Sequence, residues 1–173
     1  MAELHKFLFE GLPVRGMLVR LTDAWQTVLA RRAQNPQTGP YPSELVATLG
    51  EMTAAAVLFQ SNIKFDGALV LQLQGDGPLK LAVVEVQPDL QFRATAKVIG
   101  SVEGLTCLSA LANPGGTGRC AITLDPARRL PGQQPYQGMV PLHGDRGEPI
   151  DRVQDVLAHY MLQSEQLDTT LVL

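Results

Sequence analysis

Lys64-Phe65-Asp66-Gly67-Ala68-Leu69-Val70-Leu71-Gln72-Leu73-Gln74-Gly75-Asp76-Gly77-Pro78 reads as one strand set between two turns. Leu69, Leu71 and Leu73 fall on one face at period two, and Val70, Gln72 and Gln74 on the other. Asp66-Gly67 marks a turn before the strand, and Gly75-Asp76-Gly77-Pro78 marks one after it. Two more strands follow, at 79–86 and 90–98, separated by Gln87-Pro88-Asp89. This is the pattern of a β-meander.

Upstream of this stretch, Pro42 suits the first turn of a helix. Leu45, Leu49, Met52, Ala56, Phe59 and Ile63 recur at steps of three and four. Val46, Thr53 and Val57 widen that stripe, and charge is sparse between Glu51 and Lys64. A helix apolar on most sides belongs in the centre of a domain. Further out, residues 4–9 and 13–21 read as short strands around Gly11-Leu12-Pro13. A helix is expected over 22–32, with Thr22 or Asp23 as N-cap and Arg31-Arg32 at its end. Asn35 to Pro42 is a loop. Downstream, a short helix is expected at 102–111, a glycine-rich turn at 113–118, strands at 119–124 and 136–142, an amphipathic helix over 150–161 and a last strand at 169–173. Strands come in runs rather than alternating with helices. The expected class is therefore α+β, with antiparallel-rich β-sheets packed around a central apolar helix and further helices.

The 173 residues fit one domain with a sizeable core. Lys and Arg number 14 against 17 Asp and Glu, a net charge of −3, with no basic run or aromatic platform. Nucleic acid is not an expected partner. Charged residues are 18% against 45% hydrophobic, which leaves a larger apolar share for the surface. No leader-like apolar segment opens the chain and no run of about eighteen apolar residues occurs, so neither secretion nor a membrane span is expected. Two sparse cysteines fit a reducing cytoplasm.

Cys107 and Cys120 are thirteen residues apart and form no Cys-x-Cys or Cys-x-x-Cys pair. They read as small buried hydrophobes, and no spacing rule argues for a disulfide between them. With His5, His143 and His159 scattered, no four-ligand zinc set is visible. Gly75-Asp76-Gly77 lacks the Lys-Ser/Thr of a phosphate loop, and Gly115-Gly116-Thr117-Gly118 precedes a strand, so both read as turns. No nucleophile elbow or His-x-x-x-His pair points to an enzyme.

Four blocks stand in a telling order. Leu4-His5-Lys6-Phe7-Leu8-Phe9-Glu10 with Val14-Arg15-Gly16 comes first, then Lys64 to Pro78. Tyr136-Gln137-Gly138 before Met139-Val140 is third, and His159-Tyr160-Met161-Leu162-Gln163-Ser164-Glu165-Gln166-Leu167 is fourth. Together they resemble the redox-regulated holdase chaperones, the thirty-three-kilodalton heat-shock protein family. The motif residues Lys64, Phe65, Asp66, Gly67, Gly75, Asp76, Gly77, Pro78, Tyr136, Gln137, Gly138, Ser164, Glu165 and Gln166 are expected to serve structure. Ser164-Glu165-Gln166 is expected to satisfy free backbone groups where the last helix passes into strand.

The resemblance implies more. Family members continue into a linker and a zinc-holding segment with Cys-x-Cys and Cys-x-x-Cys pairs. Oxidation there releases the metal and exposes apolar surface, which captures unfolding proteins without ATP. These 173 residues carry none of those pairs, and they end on the apolar run Thr169-Thr170-Leu171-Val172-Leu173. They therefore read as the chaperone core domain of a longer protein, with no cofactor of its own and unfolded or aggregation-prone proteins as partners. A homodimer is expected. The rival reading is a dimerisation or interaction core without client binding of its own.

Overall fold

The structure, a computed structural model, describes residues 2–173. In chain order it contains β1 (Glu3–Leu8), β2 (Arg15–Arg20), α1 (Thr22–Ala33), α2 (Ser43–Asn62), β3 (Gly67–Gln74), β4 (Leu79–Val86), β5 (Phe92–Val98), α3 (Leu108–Ala112), β6 (Arg119–Pro126), β7 (Tyr136–Pro141) and α4 (Val153–Glu165). The class is α+β. β3 lies at the centre of a five-stranded sheet of order β5-β4-β3-β6-β7, antiparallel throughout, and β1–β2 form a separate hairpin.

The alternation seen in the sequence sets the two faces of the sheet. Leu69, Leu71 and Leu73 are buried, and the register places Leu71 between Val84 of β4 and Ile122 of β6. Onto this face packs α2, whose Leu45, Leu49, Met52, Ala55 and Ala56 are fully buried. A helix so placed has little use for charge, which explains its apolar flanks. Two of its buried polar side chains find partners inside: the Thr53 hydroxyl donates to the Leu49 carbonyl at 2.7 Å, and the Gln60 NH2 donates to the Gly67 carbonyl at 3.0 Å, while the Gln60 side-chain oxygen has no hydrogen-bond partner among the described residues. α1 packs against α2 where the Trp25 indole faces Gly50. The opposite face of the sheet carries Val70, Leu81, Val83 and Thr123 around Gln72, all partly exposed.

Several expectations are corrected. Residues 102–107 are not helical: Gly104 takes φ +74° and its N–H donates to Glu44, so only Leu108–Ala112 coil. Leu21, rather than Thr22 or Asp23, occupies the N-cap of α1. The last strand at 169–173 is absent. The chain reverses after α4 and residues 166–173 find no strand partner, so their β-rich composition meets no ladder. The remaining elements lie where their periodicity places them: β3 and β4 match at both ends, and no other end is shifted by more than four residues.

Candidate functional site

The Gly75-Asp76-Gly77 turn is a clasp between two loops. Backbone pairs it on both sides, with Gly75 N–H to the Lys80 carbonyl at 3.0 Å and Asp76 N–H to the Ala112 carbonyl at 2.9 Å. The Asp76 carboxylate then accepts from Gly115 N–H (3.0 Å), Thr117 N–H (2.7 Å) and the Thr117 hydroxyl (2.8 Å). Partial burial works to raise this carboxyl, but those three donors and the Lys80 charge outweigh it, so it titrates below its ordinary range. The glycines are required by close approach. A Cβ on Gly75 would lie 2.0 Å from the Leu79 carbonyl oxygen, and one on Gly77 would lie 2.5 Å from that of Leu111. The clasp continues through Asn113, whose side chain donates to the Leu142 carbonyl and accepts from Gly118 N–H. Both glycine clusters are turns of one interlocked structure.

The other half of this motif is a quieter hinge. The Asp66 carbonyl accepts from Ala127 N–H at 3.0 Å, and the Pro78 carbonyl from Ile99 N–H at 2.9 Å. The Phe65 ring lies across Gly67, 2.5 Å from where a Cβ would stand. Lys64 is exposed.

Tyr136-Gln137-Gly138 and Ser164-Glu165-Gln166, far apart in sequence, meet. One oxygen of Glu165 accepts from the Tyr136 hydroxyl at 3.1 Å and from the Tyr160 hydroxyl at 3.2 Å. Tyr160 is 2% exposed and its ring fills the space over Gly138, where a Cβ would stand 2.3 Å from the hydroxyl. Burial and then the neighbouring Tyr136 and Glu165 push the Tyr160 phenol well above its ordinary range. Burial and the Glu165 hydrogen bond raise Tyr136 as well. Gln137 bonds Thr123 across the strands at 2.9 Å. Glu165 does not serve the helix end as expected. That end is closed by backbone, with Gln166 in the left-handed region (φ +55°) and Leu167 N–H donating to the Met161 carbonyl. No sequence signal pairs two tyrosines with one carboxylate across 29 residues.

The β1–β2 hairpin carries a concentration of exposed apolar side chains. Phe7 packs edge-on against Phe9, and lies across Gly16, its cross-strand partner. The tip turns through Gly11 (φ +74°), with Phe9 N–H to the Val14 carbonyl at 3.1 Å. Leu8, Leu12 and Leu18 are 81%, 60% and 58% exposed, and Phe7, Phe9 and Val14 are about half exposed. Six large apolar side chains share this ribbon, with Phe7 and Leu18 on one face and Leu8 on the other, which exceeds the scatter of single exposed apolar residues on an ordinary surface. At its base a groove of about 420 Å³ opens between the hairpin, α1 and the β4–β5 turn, lined by Leu4, Val19, Leu21, Val28, Leu90 and Phe92 among others.

The cysteines and histidines are dispersed over the fold. Cys120 is fully buried in β6, and burial pushes its thiol up to about 12. Cys107, expected to be buried, is only partly buried, because it precedes α3 on a loop rather than lying inside a helix; its sulfur is 3.4 Å from the Ser109 hydroxyl, which in turn donates to Asp151. Both thiols are free. His5 lies near Glu3, and His159 lies 3.7 Å from Asp145. Among the described residues no three His, Cys, Asp or Glu side chains converge as metal ligands. No described helix is long and apolar enough to cross a membrane.

A family model described as Hsp33 protein matches residues 2–173. The chain belongs to the Hsp33 family. A protein named 33 kDa chaperonin from Chromobacterium violaceum is 52% identical over 171 residues, spanning 99% of this chain and 52% of its own length. One of the same name from Methylobacillus flagellatus is 44% identical over 169 residues, spanning 97% of this chain and 51% of its own. The crystal structure of the 33 kDa chaperonin from Thermotoga maritima shares the fold, with a TM-score of 0.69 at 18% identity over 95% of this chain and 52% of that one. The chain thus spans about half the length of the Hsp33 relatives it matches. The four sequence blocks that carried the resemblance are the hairpin, the Asp76 clasp and the two halves of the Glu165 node.

Proposed function

We propose that this chain is the core domain of an ATP-independent holdase chaperone, which binds unfolding proteins through exposed apolar surface. Family membership sets the class, and the observation that carries the reading is the apolar hairpin. Phe7, Leu8, Phe9, Leu12, Val14 and Leu18 offer unfolding chains a contact that needs no nucleotide and no bond-making chemistry. The ribbon also has two free strand edges, which an extended client can pair with while its side chains contact the apolar tip. The reading includes a cytoplasmic protein that meets neither nucleic acid nor membrane and performs no catalysis.

Redox control in this reading belongs to zinc-binding cysteine pairs outside these 173 residues. Cys120 is too buried to respond, and Cys107 has no thiol partner. Client capture by this chain is therefore independent of oxidant. Suppression of a heat-unfolded client's aggregation by the purified chain tests the reading.

A second reading is favoured by the same hairpin. Its free edges and apolar side chains would bury equally well against a second copy, making the chain a dimerisation core whose client binding lies elsewhere. Sedimentation of the hairpin variants separates the two: a dimer that dissociates when Leu8, Leu12 and Leu18 become serine, with no aggregation suppression in either form, supports the second.

A further inference from the structure

The Tyr136–Glu165–Tyr160 node stands at a reversal of the chain. Immediately after Glu165, Gln166 adopts φ +55° and the backbone turns back. Leu171 and Leu173 then pack against the core, and Leu173 N–H donates to the Gln154 side chain at 3.2 Å. Gln154 lies in the first turn of α4 and Glu165 in its last. The strap 167–173 therefore runs along the length of the helix, about 20 Å, within the reach of seven extended residues.

Little else holds it. No strand ladder includes it, and its other side-chain bond, from the Thr169 hydroxyl to the Leu167 carbonyl, is internal. Its seating depends on where the last turn of α4 points. That turn is tied to edge strand β7 through one carboxylate oxygen that serves both a buried tyrosine and a half-exposed one.

We propose that Glu165 is a latch: it clamps the last turn of α4 onto β7, and thereby lays the strap 167–173 along the helix. Removing the carboxylate frees the turn, lifts the strap and uncovers the apolar flank on which Leu171 and Leu173 rest. The side chain of Tyr160 stays in the core when this happens, since its ring is held over Gly138 by packing. The device is local. It connects two motifs that serve neither the hairpin nor the Asp76 clasp, and it does not rest on the chaperone reading.

The test is a comparison of the 173-residue chain with Glu165→Ala, Glu165→Gln and Tyr136→Phe by solution NMR. The readouts are methyl contacts of Leu171 and Leu173 and amide exchange along the chain. Glu165→Ala is expected to lose the Leu171 and Leu173 contacts to α4 and to speed exchange at Leu167 and the last turn about tenfold, the loss of about one charged hydrogen bond. Exchange in α2 and β3 should be unchanged. Glu165→Gln keeps an acceptor oxygen and should be intermediate. Tyr136→Phe removes only the half-exposed hydroxyl, and should show a smaller loosening at the same amides even if Glu165→Ala fails to fold. Strap contacts that persist without the carboxylate, or exchange that rises uniformly through α2 and β3, would overturn the latch.

Discussion

Replacing Asp76 by asparagine removes charge and one acceptor while keeping size. In the native clasp one carboxylate oxygen takes Gly115 N–H and the other takes both Thr117 donors. Asparagine can keep one of these sets, but its NH2 then faces the donors of the other. Hydrogen bonds to charged groups contribute about 1.5–3 kcal/mol each. Asp76 is only partly buried, so screening discounts that range, and the expected loss is about 2 kcal/mol in total. For a chain of this size that lowers Tm by about 6 °C. The pH dependence has a definite sign. The folded carboxyl titrates below the ordinary 3.8, so its contribution is present above that value and is lost as pH falls through the lower folded value. The gap between parent and variant should be full at neutral pH and close in strong acid. Thermal melts at matched ionic strength across that range provide the assay. A gap under about 1 °C at neutral pH, or one that persists unchanged in acid, would show that the carboxylate does not hold the glycine loops together.

Three further outcomes are expected. Gly138→Ala should cost about 1–3 kcal/mol, because the added Cβ meets the Tyr160 ring and hydroxyl rather than a flexible chain end; a chemical denaturation midpoint equal to the parent's contradicts the packing described. A thiol reagent should label Cys107 in the native protein and Cys120 only after unfolding, given the partial exposure of Cys107 and the burial and raised thiol of Cys120, and mass analysis of the labelled peptides reads this directly. The purified chain should hold no stoichiometric zinc, since two distant cysteines and scattered histidines offer no ligand set, and metal analysis after chelator washing showing about one zinc per chain would refute this.

What was legible in the sequence was whatever a local period fixes. The alternation from Ala68 to Gln74 placed β3, and the three-four spacing from Leu45 to Ile63 placed the buried helix. Turn residues located the Asp76 clasp, though they were silent on what its carboxylate binds, because Thr117 is 41 residues away. The misplacements share a cause. Thr169 to Leu173 has strand composition, but a strand exists only where a partner ladder does, and the left-handed turn at Gln166 directs this segment along α4 instead. Gly104 likewise ended a helix that the composition of 102–107 allowed. The Tyr136–Glu165–Tyr160 node was out of reach for the same reason as the clasp's partners: it is created by the β6–β7 register and by the packing of α4, and neither is a local property.

On the proposed reading, this chain itself holds unfolding proteins on an apolar hairpin, without nucleotide and without a redox signal. Light scattering of a heat-unfolding client tests it most directly, with the chain reduced, the chain treated with peroxide, and the Leu8→Ser/Leu12→Ser/Leu18→Ser variant. Those three side chains are mostly exposed, so the variant should keep its fold. The account predicts equal suppression by the reduced and oxidised chain and clearly weaker suppression by the folded variant. A folded chain that leaves the client to aggregate unimpeded, one that acts only after peroxide, or a triple variant as effective as its parent would contradict it.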